Sequence, residues 1–134
     1  MDAGADGTST GIRAFREQHQ LPNVHFFKNM EGKDFLQLLQ HSDCLIGNSS
    51  VGIRECAFLG VPVVNIGSRQ NRRDRGGNSI DVDYCQDKIE DAIMDSVRRG
   101  KSISSSIYGN GKAGTQIAEL LIQLPLQFHK TIMY

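Results

Sequence analysis

Tryptophan is absent from this chain of 134 residues, and proline and cysteine each occur only three times. The odd cysteine count, at positions 44, 56 and 85, gives neither the pairs of a disulfide scaffold nor the close spacing of a zinc site. Cys44 and Cys56 stand in apolar runs and are expected to be small core residues. Net charge is missing too, since 15 Lys and Arg balance 15 Asp and Glu. That balance excludes the basic footprint of a nucleic-acid or membrane-surface protein, so neither partner is expected. No apolar run approaches the roughly 20 residues that span a bilayer, and MDAGADGTST lacks the basic-then-apolar pattern of a secretory signal. Histidines 19, 25, 41 and 129 have no ligand spacing, so no metal is expected. No nucleophile stands in a pattern with a base and an orienting third group. No catalytic centre and no cofactor site is legible, and a reducing cytoplasm is the expected home.

What is present is a single-domain length, with 39% hydrophobic residues to fill one core. Thr8, Ser9 and Thr10 offer caps for a helix through Ile12, Phe15 and Arg16 to about Gln20, and Pro22 stops it. VHFF at 24–27 predicts a short buried strand. Phe35, Leu36, Leu38 and Leu39 repeat at helical spacing. CLIG at 44–47 predicts another buried strand, NSSVGIRECAFLG one helix, and VPVVNIG at 61–67 a further strand. A basic loop, SRQNRRDRGGNS, precedes the strand IDVD. Ile89, Ala92, Ile93, Met94 and Val97 are expected on the inner face of a helix from about Gln86 to Arg99, and YGNGKAG opens a last helix through Ala118, Leu120, Leu121 and Ile122. Strands that read as continuous apolar runs, alternating with helices, predict an α/β fold: a Rossmann-like parallel sheet with helices on both faces. The chain opens on a helix, so its first strand is expected to be lacking.

Chemistry concentrates in CLIGNSSVGIRECAFLGVPVVNIGSRQNRR, residues 44–73. Ligands of an open parallel sheet lie beyond the carboxyl ends of its strands, and Asn48, Ser49, Ser50 and Gly52 fall there. Backbone N–H groups at a helix start favour an anion. Ser49 and Ser50 add hydroxyls, and Gly52 lets a phosphate approach the backbone. Glu55, one turn on, could accept from two ribose hydroxyls, and Arg69 could clamp phosphates with its planar fork. A plainer reading competes. Serine caps helices and a following glutamate supports the cap, and on residue types alone the cap reading leads. Arg72 and Arg75 are expected to be solvated loop residues.

The ordered string Asp2-Ala3-Gly4, Pro22-Asn23, Gly47-Asn48-Ser49-Ser50 with Gly52 and Glu55, Gly60, Pro62, Asn65-Ile66-Gly67, Arg69-Gln70, Ile80-Asp81-Val82 and Tyr108-Gly109-Asn110-Gly111 resembles the C-terminal part of the UDP-N-acetylglucosamine 2-epimerase family. The extra residue in Asn-Ser-Ser-Val-Gly favours its hydrolysing branch, which forms N-acetylmannosamine for sialic-acid-type sugars. The resemblance implies that residues 1–134 are a single UDP-binding Rossmann-like domain, the C-terminal half of a two-domain glycosyltransferase-B-type architecture. It implies that Ser49 contacts the diphosphate and that Ser50 and Gly52 supply backbone approach. Glu55 would bind the ribose, Arg69 would reach the phosphates, and Lys28, Asn29 and Met30 would frame the uracil. UDP-N-acetylglucosamine or UDP is the implied partner. The family's N-terminal domain, with its acidic catalytic residues, is missing, so the isolated chain is expected to be inactive. After Arg69-Gln70 the family usually places a glycine before an arginine, where Asn71-Arg72-Arg73 stands here.

Two other readings remain open: the donor-binding half of a glycosyltransferase of the same architecture, and a non-catalytic nucleotide-sugar-binding module. An unpaired sheet edge at Val24, Phe26 and Phe27 is expected to drive homo-oligomer formation.

Overall fold

A computed structural model describes residues 5–19 and 21–125. The Asp2-Ala3-Gly4 motif, Gln20 and His129 lie outside them. The chain divides into two compact units, the first ending at Glu31 and the second beginning at Gly32.

The first unit holds α1 (Ala5–Gln18). His19 N–H donates to the Phe15 carbonyl at 2.9 Å, and the two rings lie 4.8 Å apart. The expected strand at 24–27 is not formed; these residues are irregular coil. A strand exists only through pairing, and among the described residues this unit contains no strand to pair with. The Phe26 ring instead receives the Arg16 guanidinium, 4.7 Å from its centroid. The sheet edge expected there is therefore not present.

The second unit runs α2 (Gly32–His41), β1 (Leu45–Gly47), α3 (Ser50–Ile53), α4 (Glu55–Leu59), β2 (Val63–Ile66), β3 (Ser79–Val82), α5 (Gln86–Arg99) and α6 (Ala113–Gln123). Its three strands are parallel in the order β1-β2-β3, with Leu45 opposite Val63 and Val63 opposite Ser79. Val63, Val64 and Asn65 of the central strand are buried, as the continuous apolar run predicts for a strand covered on both sides. Leu45 and Val63 face Gly52 of α3. Cys44 and Val64, one residue out of phase, face the other side, where Ser96 of α5 lies beside the Cys44 thiol. Leu39, Cys56, Val61 and Val63 form the core, flanked by Phe35, Leu45, Val51 and Leu59.

Three local expectations need correction. The single helix expected over 48–60 breaks at Arg54, whose φ of −99° and ψ of −73° separate α3 from α4. The Gly52 carbonyl, due in a continuous helix to accept from Cys56, accepts from Asn78 Nδ2 at 3.4 Å. On α5, Ala92 and Ser96 are buried and Ile89 and Ile93 half-buried, while Met94 and Val97 are exposed. Positions 89, 92, 93 and 96 make one helical stripe, and 94 and 97 fall off it. Arg75, expected to be solvated, is an internal fastener of the 68–79 loop. Its Nε donates to Asp81 Oδ2 at 3.2 Å, its Nη1 to the Arg73 carbonyl at 2.8 Å and its Nη2 to the Gln70 carbonyl at 2.8 Å.

Candidate functional site

The carboxyl ends of β1 and β2 carry the loops that the sequence marks. Gly47 leaves β1 with φ +144°, a backbone that L side chains rarely adopt. Ser49 then caps α3: its backbone is extended, and its Oγ accepts from the Val51 N–H at 3.4 Å. A hydroxyl in that role keeps its own O–H as a donor, so capping and anion contact are compatible at Ser49. Because α3 has only four residues and α4 five, the dipole contribution expected of a long helix is small here. Hydrogen-bond donors, rather than helix charge, must carry any anion preference.

Gly52 has its own structural reason. A Cβ there would lie 2.8 Å from Val63 Cγ1 and 3.5 Å from Leu45 Cδ2. Only glycine lets α3 approach the sheet this closely, as the last glycine of dinucleotide folds does.

Glu55 opens α4 with its carboxylate split between two environments. Oε1 lies 3.8 Å from Arg54 Nη2, whereas Oε2 is buried with no hydrogen-bond partner among the described residues. An unsatisfied buried carboxylate oxygen is costly. Glu55 borders a cavity of about 610 Å³, walled by Lys33 and Leu36 of α2, Phe58 of α4, and Tyr108 and Asn110 of the connector. That volume is in the range of small-molecule sites, and Gln37, Gln40 and Arg54 add polar groups to an otherwise largely apolar wall. Tyr108 is held in place by its Oη, which donates to the Asp74 carbonyl at 2.9 Å. A smaller cavity of about 230 Å³ lies beyond β2 and β3, between Ser68, Asn71, Asp83 and Lys88.

Ser49, Ser50, Gly52 and Glu55 are thus gathered on one segment at the end of β1. Arg69 is exposed in the loop after β2. The neighbouring Gln70 ties that loop to the β1 end by donating from Nε2 to the Asn48 carbonyl at 2.7 Å. Lys28 and Asn29, exposed, and Met30, half-buried, belong to the first unit. Sequence reasoning gave no role to Gln70, Asn65, Asp81 or Tyr108. The signal available was polarity out of place: Asn65 interrupts an apolar strand, yet it is buried and donates to Asp81 Oδ1 at 2.6 Å.

Burial, then the neighbouring Glu55 charge, then Cys44, push the Cys56 thiol from its ordinary 9.0 up to about 11. Burial likewise raises Cys44. Cys56 is a core residue, as its apolar setting predicts, whereas Cys44 is only half-buried. All three cysteines are free. No helix among the described residues is long and apolar enough to cross a membrane.

A family model described as UDP-N-acetylglucosamine 2-epimerase matches residues 4–122. Over 105 residues the chain is 40% identical to a UDP-N,N'-diacetylbacillosamine 2-epimerase (hydrolyzing) of Legionella pneumophila, covering 78% of this chain and 28% of that protein. It is 37% identical over 89 residues to a UDP-N-acetylglucosamine 2-epimerase of Neisseria meningitidis, covering 66% of this chain and 24% of the relative. A GDP/UDP-N,N'-diacetylbacillosamine 2-epimerase (hydrolyzing) of Campylobacter jejuni is 34% identical over 96 residues, covering 66% of this chain and 25% of its own. The chain spans about a quarter of the length of these relatives. With its Rossmann-like parallel sheet and a match over nearly its whole length, this chain belongs to the UDP-N-acetylglucosamine 2-epimerase family.

Proposed function

We propose that this chain is the UDP-gripping part of a hydrolysing 2-epimerase that converts UDP-N-acetylglucosamine and water to N-acetylmannosamine and UDP. The observation that carries the reading is Glu55: a carboxylate with one buried oxygen that has no hydrogen-bond partner among the described residues, beside a nucleoside-sized cavity and six residues beyond the Ser49 cap. A ribose offers two adjacent hydroxyl donors to such a carboxylate. Ser49 O–H and the backbone at Ser50 and Gly52 would meet the diphosphate, with Arg69 reaching it from the second strand end. Elimination of UDP places growing negative charge on the leaving diphosphate, and donors fixed in advance at the strand ends stabilise that charge. Proton abstraction at C2 and protonation need an acid–base set, which the named residues do not supply. The chain by itself is therefore expected to bind UDP and to release no N-acetylmannosamine.

A second reading of the sugar rests on the 40% identical relative, whose name specifies UDP-N,N'-diacetylbacillosamine. Calorimetric titration with UDP, UDP-N-acetylglucosamine and UDP-N,N'-diacetylbacillosamine tests both. Binding of UDP with a preference for one sugar nucleotide supports the corresponding reading. Failure of all three to bind would contradict the proposal.

A further inference from the structure

Gln70 is a polar side chain that the fold encloses almost completely, with 3% exposure. Its Nε2 donates to the Asn48 carbonyl at 2.7 Å, and its Oε1 is buried without a hydrogen-bond partner among the described residues. A buried amide satisfied at one end only is less stable than an apolar side chain of the same shape. Packing alone does not explain a glutamine here. The rest of the residue is also pinned. Its carbonyl accepts from Arg75 Nη2 at 2.8 Å, Arg75 pairs with Asp81 of β3 at 3.2 Å, and Asp81 accepts from Asn65 of β2 at 2.6 Å. A continuous polar chain therefore runs from β2 and β3 to the residue just before Ser49.

The bond to Asn48 has a directional consequence. The peptide joining Asn48 to Ser49 is planar and trans, so its carbonyl and its N–H point in opposite directions. Holding the Asn48 carbonyl on Gln70 aims the Ser49 N–H away from Gln70. We propose that Gln70 is a positioning residue that fixes the Ser49 amide as a donor for the diphosphate, an inference that rests on the UDP-binding reading above. Gln70 itself touches no ligand. Its effect is confined to ligands that carry phosphates and is absent for the bare nucleoside.

The test is calorimetric titration of the full chain with UDP and with uridine, in the parent and in Gln70→Met, which keeps length and loses the donor. One hydrogen bond's worth of positioning corresponds to an affinity for UDP about three- to tenfold weaker, with uridine affinity unchanged. The Ser49 amide resonance of the parent, followed by NMR, should move on adding UDP and stay put on adding uridine, and this arm decides the matter if Gln70→Met does not fold. Equal UDP affinity in parent and variant overturns the inference while leaving the UDP reading standing. So does parallel weakening of UDP and uridine, or a Ser49 amide that UDP does not move. A parent that binds no UDP overturns the site reading and the inference together.

Discussion

Gly52 stands so close to Val63 that a β-carbon on the glycine would lie 2.8 Å from Val63 Cγ1. The contact joins the segment bearing the candidate site to the central strand, and it is backbone against side chain. Gly52→Ala is expected to cost about 1–3 kcal/mol through overpacking, lowering the thermal midpoint by several degrees. Combining it with Val63→Ala should cost less than the two single changes added together, because the smaller neighbour makes room. Additive costs in a denaturation series would show that the close approach is not the reason for glycine.

Arg72 is the one residue other than glycine with positive φ among the described residues, at 64°. A left-handed backbone costs an L side chain roughly 1–2 kcal/mol, partly offset by the greater freedom glycine loses on folding. Arg72→Gly is therefore expected to stabilise the chain by about 0.5–1 kcal/mol, read as a higher denaturant midpoint. A lower midpoint would mean that the Arg72 side chain contributes more than its backbone conformation costs.

The raised Cys56 thiol predicts how stability falls in alkali. Folding holds the thiol proton to about pH 11, whereas the unfolded chain releases it near 9.0. The unfolded state thus binds fewer protons between those values, and stability declines as pH rises through them. The loss amounts to roughly 2–3 kcal/mol. Denaturation between pH 8.5 and 11 should show a steeper decline for the parent than for Cys56→Ala. Identical slopes would contradict the assignment.

Much of the fold was legible because burial leaves strong patterns. β1, β2, β3 and α5 all fall where apolar runs and helical spacing place them, although β1, expected to be buried, leaves Ile46 exposed. Failures came where an interaction distant in sequence decides the outcome. Asn78, 26 residues beyond Gly52, takes its carbonyl at the point where a continuous helix was expected. Phe26 is as apolar as a strand residue but packs under Arg16 of α1. The site was legible in composition rather than in geometry. Ser49 and Glu55 advertise themselves as polar residues after a buried strand. The burial of Gln70 and the grip of Arg75 on Asp81 cannot be seen until the loop is folded.

The central claim is that Glu55 and the Ser49 turn hold the ribose and diphosphate of UDP. The measurement is a thermal-shift titration with UDP on the parent, Glu55→Gln and Ser49→Ala, each compared with its own ligand-free midpoint. This comparison matters because loss of the Ser49 cap itself costs about 0.5–2 kcal/mol. UDP at a hundred times its dissociation constant stabilises the folded chain by about 2.7 kcal/mol, a shift of several degrees. The account predicts that shift in the parent, its loss in Glu55→Gln and its reduction in Ser49→Ala. A full shift in Glu55→Gln, or none in the parent, would contradict it.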